Sequence, residues 1–139
     1  MTETPTFVSH LECGETGKHY PADQLHGLSD TGKPLLVRYD LDALAGAVSK
    51  DAVAARVPEF WRYREFLPVR RAENIVRLGE VMTPIIPLTK IAARLGATEI
   101  LVKDEGRLPT GSFKARGLAL AVSMAKELGV TRMAMPTNG

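Results

Sequence analysis

The stretch Pro109-Thr110-Gly111-Ser112-Phe113-Lys114-Ala115-Arg116-Gly117 lies between a short apolar run, Glu99 to Lys103, and a helical stripe. Leu118, Ala121, Val122, Ala125 and Leu128 carry that stripe. Their spacing predicts a helix over about 112–128, capped by Ser112 and ended by Gly129. Lys114 then falls in the first helical turn. The positive end of the helix dipole disfavours a cation there, and a desolvated lysine amine in such a place is a usable nucleophile toward carbonyl groups. A lone lysine at a helix start is more often a solvated surface charge, so the residues by themselves leave both readings open. Gly111 lets the backbone come close to a ligand.

Outward from this stretch, Leu88, Ile91, Ala92 and Leu95 predict a helix over about 88–95, with Gly96 just past its end. Thr83-Pro84 and Pro87 mark an extended approach to it. Glu99–Lys103 reads as a strand with an apolar centre, and Met133-Ala134-Met135 predicts another over about 132–135. Strand, helix, strand in that order predicts a βαβ unit, and hence an α/β fold with a parallel sheet. Such a sheet needs more than two strands, so the chain reads as the N-terminal fragment of a longer protein. Residues 1–80 are expected to form an arm of one small strand plus helices, and 81–139 to open a truncated catalytic domain. The fragment alone is expected to be inactive and marginally stable. In the arm, Leu35–Tyr39 is the strand. Asp40 caps a helix on Leu41, Leu44 and Val48, a second helical piece covers Asp51–Arg56, and Phe60, Tyr63 and Leu67 recur at helical spacing. Phe60, Trp61, Tyr63 and Phe66 are expected to be core.

The 18 Lys and Arg against 16 Asp and Glu give a net charge of +2, too even a balance to argue for nucleic acid or an anionic membrane as partner. No run approaches the ~20 apolar residues of a membrane span, and the first residues do not read as a secretory signal. One cysteine among 139 residues excludes an internal disulfide and suits a reducing compartment.

The 109–117 stretch resembles the lysine motif of the fold-type-II pyridoxal-phosphate enzymes, the tryptophan-synthase-β-like superfamily. Val102–Gly106 is similar to the strand that precedes that lysine. Met135-Pro136-Thr137-Asn138-Gly139 resembles the start of the second signature, a Ser/Thr-x-Gly-Asn loop that holds the substrate carboxylate. Phe60–Val69, Arg77–Leu88 and Lys33–Leu41 resemble the arm of the threonine synthases within that superfamily. The resemblance implies pyridoxal 5'-phosphate as cofactor, held by Lys114 as a Schiff base, with Phe113 near its ring. Ser112, Thr137 and Asn138 would lie beside a small amino-acid substrate. It implies a cytoplasmic lyase of threonine biosynthesis, turning O-phosphohomoserine and water into threonine and phosphate, and a homo-oligomer at full length. The sequence departs from the pattern at Ala115, where the family commonly has Asp. The Ala form also occurs in the related threonine and serine dehydratases, which are the alternative activity. Val81 and Met82 stand where a glycine-like position is usual. The glycine-rich phosphate loop of the family has no counterpart in these residues.

His10, Cys13, His19 and His26 invite comparison with a metal cluster, since relatives can carry a zinc ribbon here. One thiol and scattered histidines do not readily make a four-ligand site, so no metal is expected in this region.

Overall fold

The computed structural model of the chain describes residues 5–136. Two tight turns, each with a left-handed glycine (Gly17 φ 71°, Gly32 φ 72°), fold the first forty residues onto themselves. They join strands β1 (Val8–Cys13), β2 (His19–Tyr20) and β3 (Leu35–Tyr39) into an antiparallel sheet in the order β2-β1-β3. β3 is where the sequence places it. β1 and β2 escape sequence reading for a definite reason. The register of β1 on β3 shifts between Val8 and His10. That irregularity lets Val8 and Cys13 both be buried, although strict alternation would send them to opposite faces. The period-two signal is broken at its source.

Asp40 accepts from the Ala43 N–H at 2.9 Å and starts helix α1 (Leu41–Ala47), as its position predicts. Ser49 accepts from Ala52 N–H at 3.1 Å and starts α2 (Lys50–Ala54). Asp40→Ala is expected to cost about 1 kcal/mol in urea denaturation. Phe60–Phe66 is helical but of the 3₁₀ type, with a kink at Tyr63. Residues three apart eclipse in such a helix, so Tyr63 and Phe66 fall on a different ridge from Trp61. Trp61 is buried, packs edge-to-face on Phe60 at 5.3 Å, and donates from Nε1 to the Val76 carbonyl at 3.2 Å. Tyr63 and Phe66 are 43% and 40% exposed, so the aromatic set is core only in part.

The second half pairs β4 (Ile85–Pro87) with β5 (Leu101–Lys103), Ile86 opposite Val102. This pairing is antiparallel, which corrects the expected parallel arrangement over 81–139. Residues 132–135 form no strand either: they are exposed and outside both sheets, because no strand among the described residues lies beside them to supply ladder hydrogen bonds. The element order remains mixed α/β. Helix α3 (Thr89–Leu95) ends at Gly96, left-handed at φ 65°, as expected.

Helix α4 (Lys114–Glu127) also stands where the sequence places it, but it buries a different face. Ala115, Ala119 and Ser123 are its buried residues, four apart, rather than the larger apolar set. Small side chains let the backbone of the 74–76 segment approach closely. Ser123 Oγ donates to the Ala119 carbonyl at 2.7 Å and accepts from the Val76 N–H at 2.9 Å. Glu127 accepts from Asn74 Nδ2 at 2.6 Å and from Arg71. Thus α4 is fastened to the segment that follows the arm's 3₁₀ turn.

Candidate active site

Gly111 takes a left-handed conformation (φ 67°), a shape that only glycine adopts without strain, and nothing lies within 4 Å of where its Cβ would be. The loop then turns into α4. Ser112 Oγ accepts from the Lys114 N–H at 3.3 Å, and the Thr110 hydroxyl donates to the Ser112 carbonyl at 3.3 Å. The N-cap position of α4 is Phe113, which makes no side-chain capping bond, so Ser112 does not take the capping part expected of it and serves only the Lys114 N–H. Lys114 opens the helix and is half-buried, so the structure takes its side chain partly out of water. Phe113 precedes it with its ring 67% exposed. Among the expected site residues, Ser112, Phe113 and Lys114 are together at one helix start. Thr137 and Asn138 lie outside the described residues.

The structure adds groups that sequence reasoning missed. Arg116, in the first turn of α4, donates to both oxygens of Glu105, Nε at 2.6 Å and Nη2 at 3.1 Å. The same guanidinium donates to the Val81 carbonyl at 2.9 Å. The Thr83 hydroxyl donates to Glu105 as well. Lys103, on β5, donates to the Thr83 carbonyl at 3.0 Å and stands 3.7 Å from Glu105. This network ties the first turn of α4 to β5 and to the 81–83 segment. It fixes the direction of the helix that carries Lys114. The signal for it was present: Arg116 sits in the quoted stretch, and Thr83 is the turn residue before Pro84. What the sequence lacks is the pairing, since Glu105 and Arg116 are joined by a loop of no regular period.

Arg116 and Thr83 bind the ionised form of Glu105 and hold its pKa at about 2, against an ordinary 4.5. A carboxylate with a lowered folded-state pKa stabilises above the unfolded value, and that stability is lost as pH falls through the folded value. Glu105→Gln is therefore expected to flatten the acid limb between pH 4.5 and about 2. The contribution lost is on the order of 2 kcal/mol. Chemical denaturation at several pH values measures it, and parallel profiles for both proteins would refute the assignment.

A planar, aromatic, carbonyl-bearing cofactor needs an amine, room for its ring and an approachable backbone. Lys114 would supply the amine, Gly111 a backbone with open space beside it, and Phe113 an exposed aromatic ring. The residues present fit pyridoxal phosphate.

Comparison with known proteins agrees with this chemistry. Residues 76–139 match the family described as pyridoxal-phosphate dependent enzyme. Its cofactor is pyridoxal 5'-phosphate. The chain is similar to the threonine synthase of Methanocaldococcus jannaschii, 37% identical over 127 residues, covering 91% of this chain and 31% of the relative. It is also similar to the threonine synthase of Methanosarcina acetivorans, 34% identical over 131 residues, 94% of this chain and 31% of the relative. The threonine synthase of Halalkalibacterium halodurans is 44% identical over 77 residues, 55% of this chain and 22% of the relative. The chain thus spans about a third or less of the length of these relatives. No solved structure matches it at a significant level. No helix among the described residues is long and apolar enough to cross a membrane.

Proposed function

We propose that the protein is a cytoplasmic threonine synthase, a pyridoxal-phosphate-dependent lyase that turns O-phosphohomoserine and water into threonine and phosphate. Residues 1–80 are its arm and 81–139 the opening of its catalytic domain, and the assembled enzyme is a homo-oligomer. The observation that carries this reading is Lys114, half-buried at the start of α4 behind the left-handed Gly111, in a chain similar along most of its length to threonine synthases.

When bound, the cofactor supplies an electron sink for bond breaking next to the substrate's amino group. Lys114 would hold it and would carry protons to and from the adjacent carbons of the substrate. For that, its amine must stay within reach of the reacting atoms, which its place in the first turn of α4 favours. Ser112 and the open Gly111 edge would face the substrate's polar end. Phe113, whose ring is exposed, would offer an apolar surface to the cofactor. The Arg116–Glu105–Thr83 network keeps the helix start from moving.

Phosphate release from O-phosphohomoserine by the full-length protein tests the reading. Release with threonine formed is expected. Keto-acid formation from threonine or serine, without phosphate chemistry, would replace it with a dehydratase, for which Ala115 speaks.

A further inference from the structure

Strands β1 and β2 bring together three side chains that no motif announces. Their register pairs Glu12 with His19. His10, two residues earlier on β1, shares the face of Glu12. The imidazoles of His10 and His19 lie 3.9 Å apart between centroids and are tilted by 30°. Nε2 of His19 is 3.6 Å from Glu12 Oε2, and Nε2 of His10 is 4.0 Å from the same oxygen.

The partners around the cluster leave these three atoms facing each other. Ser9 Oγ is 3.0 Å from His10 Nδ1, so a proton on Nδ1 leaves the lone pair on Nε2. That Nε2 is buried and has no hydrogen-bond partner among the described residues. Arg38 donates to Glu12 Oε1 at 2.6 Å and holds the carboxylate ionised, leaving Oε2 toward the rings. A buried, unsatisfied ring nitrogen is costly unless something accepts its lone pair.

We propose that His10, Glu12 and His19 form a site for a divalent transition-metal ion such as Zn²⁺. Two imidazole Nε2 atoms and one carboxylate oxygen are the ligands, and water completes the fourth position. Zinc bonds of ~2.0–2.2 Å put tetrahedral ligand atoms about 3.4 Å apart. The three ligand atoms lie within 4.8 Å of one another, with 3.6 and 4.0 Å on the Glu12 side, so side-chain rotation of both His10 and His19 must draw them in to close the site. Ser9 would fix the tautomer and orientation of His10, as outer partners of metal-bound histidines do.

These ligands differ from those the sequence suggests. Cys13 points to the other face of β1, is 1% exposed, and donates to Ser29 Oγ at 3.2 Å. His26 is turned to the Pro21 carbonyl at 2.8 Å. Neither belongs to the cluster, which keeps His10 and His19 of the four residues the sequence suggests and adds Glu12. A metal here would clamp the β1–β2 hairpin beside its turn, far in sequence from Lys114.

Isothermal titration of the chelator-treated protein with zinc chloride, and with cobalt chloride read by absorption, tests the site. The expected result is one ion per chain, with cobalt bands of nitrogen and oxygen coordination and no thiolate charge-transfer band. His10→Ala and His19→Ala should each weaken binding by more than about 10-fold, and Ser9→Ala by about 10-fold. Cys13→Ser and His26→Ala should leave it unchanged. His19 is 63% exposed at its side chain, so its replacement leaves folding intact. Absence of saturable binding overturns the proposal, as does binding that survives His19→Ala or depends on Cys13.

Discussion

Lys114→Ala is expected to remove the pyridoxyl label that borohydride leaves on the cofactor-loaded protein. Peptide mapping should find that label on Lys114 in the parent protein. The expectation follows from placement: Lys114 is the amine at the start of α4, half-buried beside a glycine with open space at its Cβ. Two other lysines stand on nearby elements and mark where a misplaced label would fall. Lys103 donates to the Thr83 carbonyl at 3.0 Å, and Lys126 donates to the Glu73 carbonyl at 3.0 Å, near the far end of the helix. Turnover should fall by ~10²–10⁴-fold or more, the range set by a lost proton-transfer group. Lys114→Arg should fail as well, because a guanidinium stays protonated and is no nucleophile. A label on Lys103 or Lys126 in the parent protein would refute the assignment. A protein that takes no label at all would refute the enzyme reading with it.

Arg56→Ala is expected to be the most destabilising charge deletion in the arm, at about 3 kcal/mol. Glu65 is only 6% exposed at its side chain and accepts from Arg56 through both oxygens, at 2.6 and 2.7 Å. Arg56 also donates to the Arg62 carbonyl at 2.6 Å. The pair holds the Glu65 carboxyl below its usual range and the Arg56 guanidinium above its own. Removing the arginine leaves a carboxylate in an apolar place with Arg64 alone nearby, at 3.5 Å. Replacing both partners with Arg56→Met and Glu65→Leu should recover most of the loss, because the desolvated charge disappears with its partner. Urea denaturation of the single and double variants decides the matter. A single variant within about 1 kcal/mol of the parent would mean the pair behaves as a solvated surface bridge.

The sequence determined the helices with local signals and singled out Lys114 as the candidate lysine. Asp40, Gly96 and Gly129 end or begin helices by backbone chemistry that acts within four residues, so α1, α3 and α4 were legible. The 109–117 stretch carried Lys114, Ser112 and Phe113 for the same reason: they are neighbours in the chain. Tertiary structure decided everything that depends on pairing across distance. β1 needed a register shift against β3 that breaks alternation, and β2 is only two residues long. The β4–β5 ladder came out antiparallel, and residues 132–135 without a paired neighbour formed no strand. The buried face of α4 was set by how closely the 74–76 backbone approaches, which favours Ala115, Ala119 and Ser123 over the larger apolar residues. The network around Glu105 and the His10–Glu12–His19 cluster are likewise products of register and loop path. Hydrophobic period and caps report only what a residue's near neighbours demand. Which side chains share a site is fixed by long-range packing and hydrogen bonds, and these the linear pattern does not encode one residue at a time.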